Sequence, residues 1–193
     1  MLNIRAARMD EYERVRDFYY DVIRSFQDAE YDPQWKIGIY PTDEYLYTSI
    51  EKQELYVGFV GEGMVAAMVL NHRFNEGYNH VRWLIDVNQD EVMVIHLLCV
   101  HPKVRKRSLA KQMVLWTLEF SKSQFKKTVR LDVLKGNVPA ENLYPSLGFQ
   151  YVTESMSSCP RVFTVPLVKP LPLSTQAKSI RITPVGPGSF VLR

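Results

Sequence analysis

The chain has 193 residues, of which 46% are hydrophobic and 23% are charged, a composition typical of one soluble globular domain. These proportions exclude a chain that is disordered throughout, a collagen-like repeat and a coiled coil. The net charge of +3 is too small to indicate nucleic-acid binding by itself. No apolar run approaches the roughly 18 residues that a membrane-spanning helix needs. The N-terminal segment also lacks the apolar core of a signal peptide, so the sequence predicts a cytoplasmic protein without membrane contact.

In chain order, the first part of the sequence predicts one strand, two helices and a β-hairpin. Residues 2–7 alternate apolar and polar side chains, which is typical of a strand. A second helix is predicted over residues 43–52, and two β-rich runs over residues 54–60 and 64–70 predict the hairpin. The first helix is predicted from apolar residues at helical spacing, namely Val15, Phe18, Tyr19, Val22, Ile23 and Phe26.

The rest of the chain predicts a central strand and then alternating helices and strands. Residues 91–100 are nearly all apolar, which fits a strand that is covered on both faces. An amphipathic helix over residues 109–120 is followed by a strand over 128–134 and then by a short helix. Two final strands are predicted over residues 150–155 and 162–168. This order is typical of a mixed α/β fold around one sheet.

The composition changes near the C-terminal end of the sequence. Residues 169–193 hold four prolines and no acidic residue. We therefore predict one domain over residues 1–168 and a Pro-rich tail over residues 169–193. The terminal strands and this tail leave a homodimer formed by strand exchange open.

The cysteines and histidines follow no disulfide or metal-binding pattern. The sequence has two cysteines and four histidines, with no CxxC pair and no HExxH motif. Two cysteines in a chain of this length do not form a disulfide framework. We therefore predict a reducing compartment and no metal site.

A predicted anion site lies where the central strand leads into the amphipathic helix. The run IHLLCV is followed by HPKVRKRSLAKQM. The first N–H groups of a helix have no partner within the helix, and the helix dipole favours negative charge there. Small side chains at Ser108 and Ala110 allow a phosphate to approach the backbone, and Arg105, Lys106 and Arg107 add positive charge. The segment contains neither the Walker pattern nor GxGxxG.

Two motifs in this region carry a resemblance to a known family. The first places Val100-His101-Pro102 before the loop from Arg105 to Ala110, close to the pattern V-x-P followed by Q/R-x-x-G-x-G/A. Serine stands at position 108, where glycine is usual. The second motif, N-x-x-A-x-x-L-Y-x-x-x-G-F, is complete at Asn137, Ala140, Leu143, Tyr144, Gly148 and Phe149. The chain therefore resembles the GCN5-related N-acetyltransferase (GNAT) superfamily, specifically over residues 91–152 and in element order over residues 1–168.

The resemblance implies a mixed, mostly antiparallel central sheet with helices on both faces and transfer of an acetyl group from acetyl-CoA to an amine. It implies that the backbone of Leu98, Cys99 and Val100 pairs with the pantetheine amides. Asn137 would hydrogen-bond near the pantetheine arm, and Tyr144 would protonate the leaving thiolate. The pyrophosphate would be held by the loop and first turn comprising Arg105, Lys106, Arg107, Ser108, Leu109, Ala110 and Lys111.

The acceptor side is predicted from a histidine and an aromatic segment. His96 is the strongest candidate for the general base, because a histidine titrates in the right range and His96 is expected to share a strand face with Leu98. A histidine at the corresponding position lines the acceptor side in the serotonin N-acetyltransferase branch of the family. Glu91 and Asp86 are weaker candidates. Acceptor contact is predicted for three aromatic residues between the first two helices, Tyr31, Trp35 and Tyr40.

Several alternatives stay open at the level of the sequence. The acceptor is a small-molecule amine, a peptide N-terminus or a lysine side chain, and the motifs do not choose among them. An acyl-CoA-binding sensor without turnover would carry the same cofactor motifs. A basic nucleic-acid-binding module would also explain the positive loop, but the small net charge and the lack of a recognition motif argue against it.

Overall fold

Seven strands and four helices alternate along the part of the chain that the structure describes. This computed structural model describes residues 2–26, 33–74, 78, 81–104, 107–154 and 160–167. The predicted tail over residues 169–193 lies outside these residues, so the domain boundary stays a prediction. The elements are β1 (Asn3–Ala6), α1 (Tyr12–Arg24), α2 (Asp43–Glu51), β2 (Leu55–Val60), β3 (Gly63–Asn71), β4 (Val92–Val100), α3 (Leu109–Ser123), β5 (Thr128–Leu134), α4 (Val138–Ser146), β6 (Gln150–Glu154) and β7 (Pro160–Pro166).

The strands form one sheet that is divided near its middle. The strand order is β1-β2-β3-β4-β5-β7-β6, and only the β4–β5 pair is parallel. These two strands pair from Val92 opposite Thr128 to Val94 opposite Arg130, where their ladder ends. Beyond that point β4 stays paired with β3 and β5 stays paired with β7. The two strands therefore splay apart, and the mostly antiparallel sheet predicted from the sequence is confirmed.

Helices cover both faces of the sheet, as predicted. The apolar faces of α1 and α2 pack against β2, β3 and β4, and they include the fully buried Tyr19 of α1 and Leu46 of α2. On the opposite face, α3 and α4 pack against the sheet through Met113, Val114 and Tyr144. Each helix thus removes its apolar stripe from water, which is the main stabilising term in such a layered fold. Among the described residues, no helix combines the length and hydropathy that crossing a bilayer requires.

A β-bulge in β4 changes which side chains share a face. Ala67 of β3 lies opposite Cys99, but Val69 lies opposite His96, so β4 contributes one more residue than β3 over this stretch. The inserted residue is Leu97, which has a φ of 52°. After the bulge, Leu98 packs in the core below α3 and α4. Leu97 and Cys99 pack in the core below α1 and α2.

The bulge also overturns one prediction about His96. Regular alternation would place His96 and Leu98 on the same face of β4. An inserted residue shifts this alternation by one position, because two residues on the bulged strand then face one residue on its partner. His96 therefore points to the side of α1 and α2, whereas Leu98 points to the side of α3 and α4. The prediction that the two residues share a face is wrong.

Candidate active site

A large cavity of about 1040 Å³ opens where β4 and β5 splay apart. It extends from the end of β4 to the first turns of α3 and α4, and Val22, Phe26 and Trp35 close it on the side of α1. Arg105 and Lys106 lie outside the described residues. The described residues that were predicted to bind the cofactor all line this cavity, namely Leu98, Cys99, Val100, Arg107, Ser108, Leu109, Ala110, Lys111, Asn137 and Tyr144.

The first turn of α3 gives the cavity a positive end. Ser108 precedes the helix in a left-handed conformation, with φ 54° and ψ 25°, and its carbonyl oxygen accepts the Gln112 N–H at 3.0 Å. Within the described part of the chain, the Ser108 side chain makes no capping hydrogen bond. The first N–H groups of the helix therefore stay available to an anion, and Arg107 and Lys111 supply charge beside them.

The exposed edge of β4 gives the cavity a row of backbone hydrogen-bonding groups. The ladder with β5 ends at Val94, whereas Leu98, Cys99 and Val100 line the cavity further along the strand. The bulge that orients this edge is held by Tyr19, whose buried hydroxyl donates to the Leu97 carbonyl oxygen at 3.2 Å. An extended ligand with amide groups can pair with such an edge as an added strand.

Helix α4 places Asn137 and Tyr144 at the same cavity. The Asn137 side-chain oxygen accepts the Ala140 N–H at 3.2 Å, so Asn137 is the N-cap of α4. The Tyr144 ring is buried, with its centroid 5.4 Å from that of Phe149 and 6.2 Å from that of Phe163. Burial, together with the negative charge of Asp132, raises the pKa of Tyr144. The phenol therefore stays protonated over the physiological range and can act as a proton donor.

A second, smaller recess of about 340 Å³ lies beside the large cavity. Tyr40 lines this recess, whereas Trp35 lines the large cavity. Their ring centroids are 6.5 Å apart, so the two aromatic side chains form a shared wall. Tyr31 lies outside the described residues. The recess is lined by Tyr40, Tyr45, Asn71, Arg73, Phe74, Tyr78, His96 and Asp132.

His96 faces the recess with one ring nitrogen already engaged. Its Nε2 lies 3.1 Å from the Asn71 side-chain oxygen and 3.0 Å from the Arg73 carbonyl oxygen. The Asn71 oxygen also accepts the Arg73 backbone N–H at 2.9 Å, which identifies it as an acceptor. Nε2 must therefore carry the proton, and only Nδ1 can serve as a base. Burial lowers the pKa of His96, which favours this neutral form.

Asp132 is a candidate functional residue that the sequence interpretation missed. Asp132 lies on β5 beyond the residues that pair with β4. Its side chain lines the concave recess, so water reaches it although protein atoms surround it on several sides. Burial raises the pKa of its carboxyl group, and the nearby His96 and a hydrogen bond from Tyr78 partly oppose that effect. The signal was present in the sequence, since Asp132 is the one acidic residue in the run VRLDVL. A charged residue inside an apolar strand needs a specific partner.

The two alternative base candidates lie away from both cavities. Glu91 precedes β4 and forms an ion pair with Lys127 at 2.5 Å. Asp86 is exposed, and neither residue lines the large cavity or the recess. Among the described residues, no group of three or more His, Cys, Asp or Glu side chains is arranged to hold a metal ion.

The sheet thus splays between its two parallel strands, and the cavity that opens there reaches the N-terminus of α3. The family model for the acetyltransferase (GNAT) family matches residues 9–149. The chain belongs to the GNAT acetyltransferase family, which confirms the resemblance carried by the two motifs. A comparison with curated proteins gives no significant match.

Solved structures share the fold at low sequence identity. A GNAT-family acetyltransferase of Listeria monocytogenes is 19% identical, with a TM-score of 0.70 over 86% of this chain and 94% of its own. The PaiA N-acetyltransferase of Thermoplasma acidophilum, in complex with coenzyme A, is 15% identical with a TM-score of 0.63, covering 86% and 99% of the two chains. YncA of Salmonella typhimurium, with its cofactor acetyl-CoA, is 12% identical with a TM-score of 0.64, covering 89% and 97%.

Proposed function

We propose that this protein transfers the acetyl group of acetyl-CoA to a primary amine. The observation that carries the proposal is one cavity that joins the part of β4 beyond its ladder with β5, the first turn of α3 and the buried phenol of Tyr144. Membership of the GNAT family supports it. The similar proteins from Thermoplasma acidophilum and Salmonella typhimurium are in complex with coenzyme A and acetyl-CoA. A volume of about 1040 Å³ suits a ligand of that size.

The lining residues have distinct roles in this proposal. The N–H groups of the first turn of α3 bind the pyrophosphate, with Arg107 and Lys111 beside them and Arg105 and Lys106 predicted to assist. The edge of β4 near Leu98 pairs with the pantetheine amides. Asn137 caps α4 through its oxygen, which leaves its amide nitrogen to donate to the pantetheine arm. Acetyl-CoA supplies an activated acyl group that the amine attacks directly, without a covalent enzyme intermediate.

Tyr144 is proposed to protonate the departing sulfur. Its hydroxyl belongs to a side chain that is 6% exposed, and it stays protonated because burial raises its pKa. A positioned acid at the leaving group typically contributes 10²- to 10⁴-fold to the rate. His96, predicted as the base that accepts the proton of the amine, retains only Nδ1 for that purpose.

The test is the Tyr144→Phe variant, assayed by calorimetric titration with acetyl-CoA and by CoA thiol release with a panel of primary amines. We expect unchanged affinity for acetyl-CoA and a kcat lower by about 100-fold or more, because only the proton donor is removed. Tyr151→Phe is the matched control, since Tyr151 is 51% exposed on β6 and should behave as wild type.

The alternative functions give different results in the same assays. A sensor would bind acetyl-CoA with no thiol release from the wild-type protein with any amine. A nucleic-acid-binding module would bind heparin as well as it binds acetyl-CoA, because its loop would recognise charge alone. Either result, or full activity of Tyr144→Phe, contradicts the proposed reaction or the proposed acid.

A further inference from the structure

The smaller recess has the composition of a binding site for a compact cation. Building on the proposed acetyl transfer, we infer that this recess takes the acceptor, that the acceptor is a small amine with a single positive charge, and that Asp132 binds its ammonium group and accepts its proton. The recess holds one carboxylate and four aromatic rings, those of Tyr40, Tyr45, Phe74 and Tyr78. Acceptor binding at this site depends on its charge, its size and its access to the thioester.

The charge of the recess is set by Asp132 alone among the described residues that line it. Arg73 is neutralised by Glu54, because its Nη1 donates to Oε1 at 2.8 Å and its Nη2 donates to Oε2. His96 is a neutral donor through Nε2. The hydroxyl groups of Tyr40, Tyr45 and Tyr78 are uncharged. One negative charge, that of Asp132, therefore faces the recess. A carboxylate beside aromatic rings and without a charged partner in the recess favours a cationic ligand.

The size and lining of the recess narrow the class of amine. A volume of about 340 Å³ lies at the lower end of the range for small-molecule sites. Aromatic faces attract an ammonium group, and they also pack well against an apolar or aromatic body. An amino acid would bring a carboxylate as well, but the cation that lines the recess, Arg73, is already bound to Glu54. The recess therefore favours a monocation over a zwitterion.

Asp132 lines the recess, and its electrostatic influence extends to the large cavity. Its negative charge acts both on His96, which lines the recess, and on Tyr144, which lines the large cavity. Trp35, which lines the large cavity, and Tyr40, which lines the recess, are also neighbours, with ring centroids 6.5 Å apart. An amine held at Asp132 would thus face the end of the large cavity where Tyr144 is placed to protonate the sulfur.

Asp132 and Tyr144 together account for every proton that moves in the proposed reaction. The ammonium group transfers one proton to the Asp132 carboxylate, which takes the place of His96 as the base, and the neutral nitrogen attacks the thioester carbonyl carbon. The N–C bond forms, the C–S bond breaks, and the sulfur receives the Tyr144 proton. The second proton of the nitrogen restores Tyr144, and Asp132 passes its proton to water. Burial raises the pKa of the Asp132 carboxyl group toward the range that a general base needs.

The test compares benzylamine, which is cationic at neutral pH, with aniline, which is neutral and needs neither charge pairing nor loss of a proton before it attacks the thioester. The Asp132→Asn variant keeps the shape of the side chain and removes its charge. We expect its kcat/KM for benzylamine to be about 100-fold or more below that of the wild type, and its kcat/KM for aniline to change far less. The loss for benzylamine should diminish at alkaline pH, where the solution supplies the free amine. Affinity for acetyl-CoA should be unchanged, which also reports that the variant is folded.

Two further variants make the test independent of a folding defect. Asp132→Ser removes the same charge in a smaller side chain, and it should show the same discrimination between the two amines. Asp90→Asn is the matched control, because Asp90 is exposed before β4 and does not line either space. Its kinetics should equal those of the wild type.

The outcomes separate this inference from the proposed function. If the wild-type protein acetylates amines and the Asp132 variants lose benzylamine and aniline activity equally or not at all, the inference is overturned and acetyl transfer stands. Preference of the wild type for phenylglycine over benzylamine would overturn the monocation class. Absence of thiol release from the wild type with every amine would overturn both.

Discussion

Ser108 has a backbone conformation that residues with a side chain adopt at a cost. Its φ of 54° and ψ of 25° lie in the left-handed region, which costs an ordinary residue about 1–2 kcal/mol. Glycine avoids most of this cost, although it loses about 0.5–1 kcal/mol more than other residues in backbone entropy on folding. Glycine is usual at this position of the family's loop because it adopts the left-handed conformation without this strain. The serine of this chain adds a hydroxyl group but keeps the strained backbone.

We predict that Ser108→Gly raises the free energy of unfolding by roughly 0.5 kcal/mol, the difference between the relieved strain and the added entropy cost. Urea denaturation measures this change. Ser108→Ala separates the two properties of serine, because it keeps the strain and removes the hydroxyl. If calorimetry shows weaker acetyl-CoA binding for both variants, the hydroxyl contacts the phosphate. If Ser108→Gly is less stable than Ser108→Ala, the strain argument fails.

The residues of the large cavity could be predicted from the sequence, whereas those of the recess mostly could not. Ser108, Asn137 and Tyr144 belong to contiguous motifs, and a helix terminus places neighbouring residues in one site. The recess gathers Tyr40, Asn71, His96, Asp132 and their neighbours from separate segments, so no local pattern joins them. The bonds that engage His96 Nε2 come from residues 71 and 73, more than twenty positions away in the sequence.

Strand β4 determines the geometry of both spaces through its bulge. Up to Ile95 the strand alternates regularly, and after Leu97 its faces are exchanged. The bulge had no signal in the sequence, because the run VIHLLCV is apolar at nearly every position and shows no interruption of a period of two. The elements themselves were predictable from periodicity and composition, and β5 has the predicted bounds of residues 128–134. The register between them was not, since it depends on long-range pairing.

Tyr19 holds this bulge, and its removal tests how far the strand depends on it. The hydroxyl donates to the Leu97 carbonyl oxygen at 3.2 Å, and both side chains are buried. Tyr19→Phe leaves that carbonyl group without this donor, so we expect a loss of about 1–2 kcal/mol in the free energy of unfolding. Because Leu98 and Cys99 follow directly, acetyl-CoA should also bind more weakly.

The matched control for this prediction is Tyr47→Phe, since Tyr47 is 45% exposed on α2. Its stability and its affinity for acetyl-CoA should equal those of the wild type in denaturation and calorimetry. A Tyr19→Phe variant with the stability and affinity of the wild type would show that the bulge is maintained by the packing of Leu97 alone.

At the scale of the whole molecule, the sheet requires the chain up to residue 167. Strand β7 lies between β5 and β6, and it pairs with β5 from Thr128 opposite Pro166 to Leu134 opposite Pro160. The Leu167 N–H then donates to the Lys127 carbonyl oxygen at 2.8 Å. The predicted domain boundary at residue 168 thus falls one residue after the last described hydrogen bond to the sheet.

We therefore predict that a chain shortened to residues 1–168 unfolds cooperatively, with a free energy of unfolding within about 0.5 kcal/mol of that of the full chain, because it keeps every described strand pair of the sheet. Its affinity for acetyl-CoA should be unchanged, since the described lining of the cavity ends at Tyr144. A chain that ends at residue 159 lacks β7, so β6 loses its partner and the outer edge of β5 is exposed. That chain should show no cooperative unfolding transition. If the 1–168 chain is markedly less stable, residues 169–193 contribute to the fold and the boundary drawn from composition is incorrect.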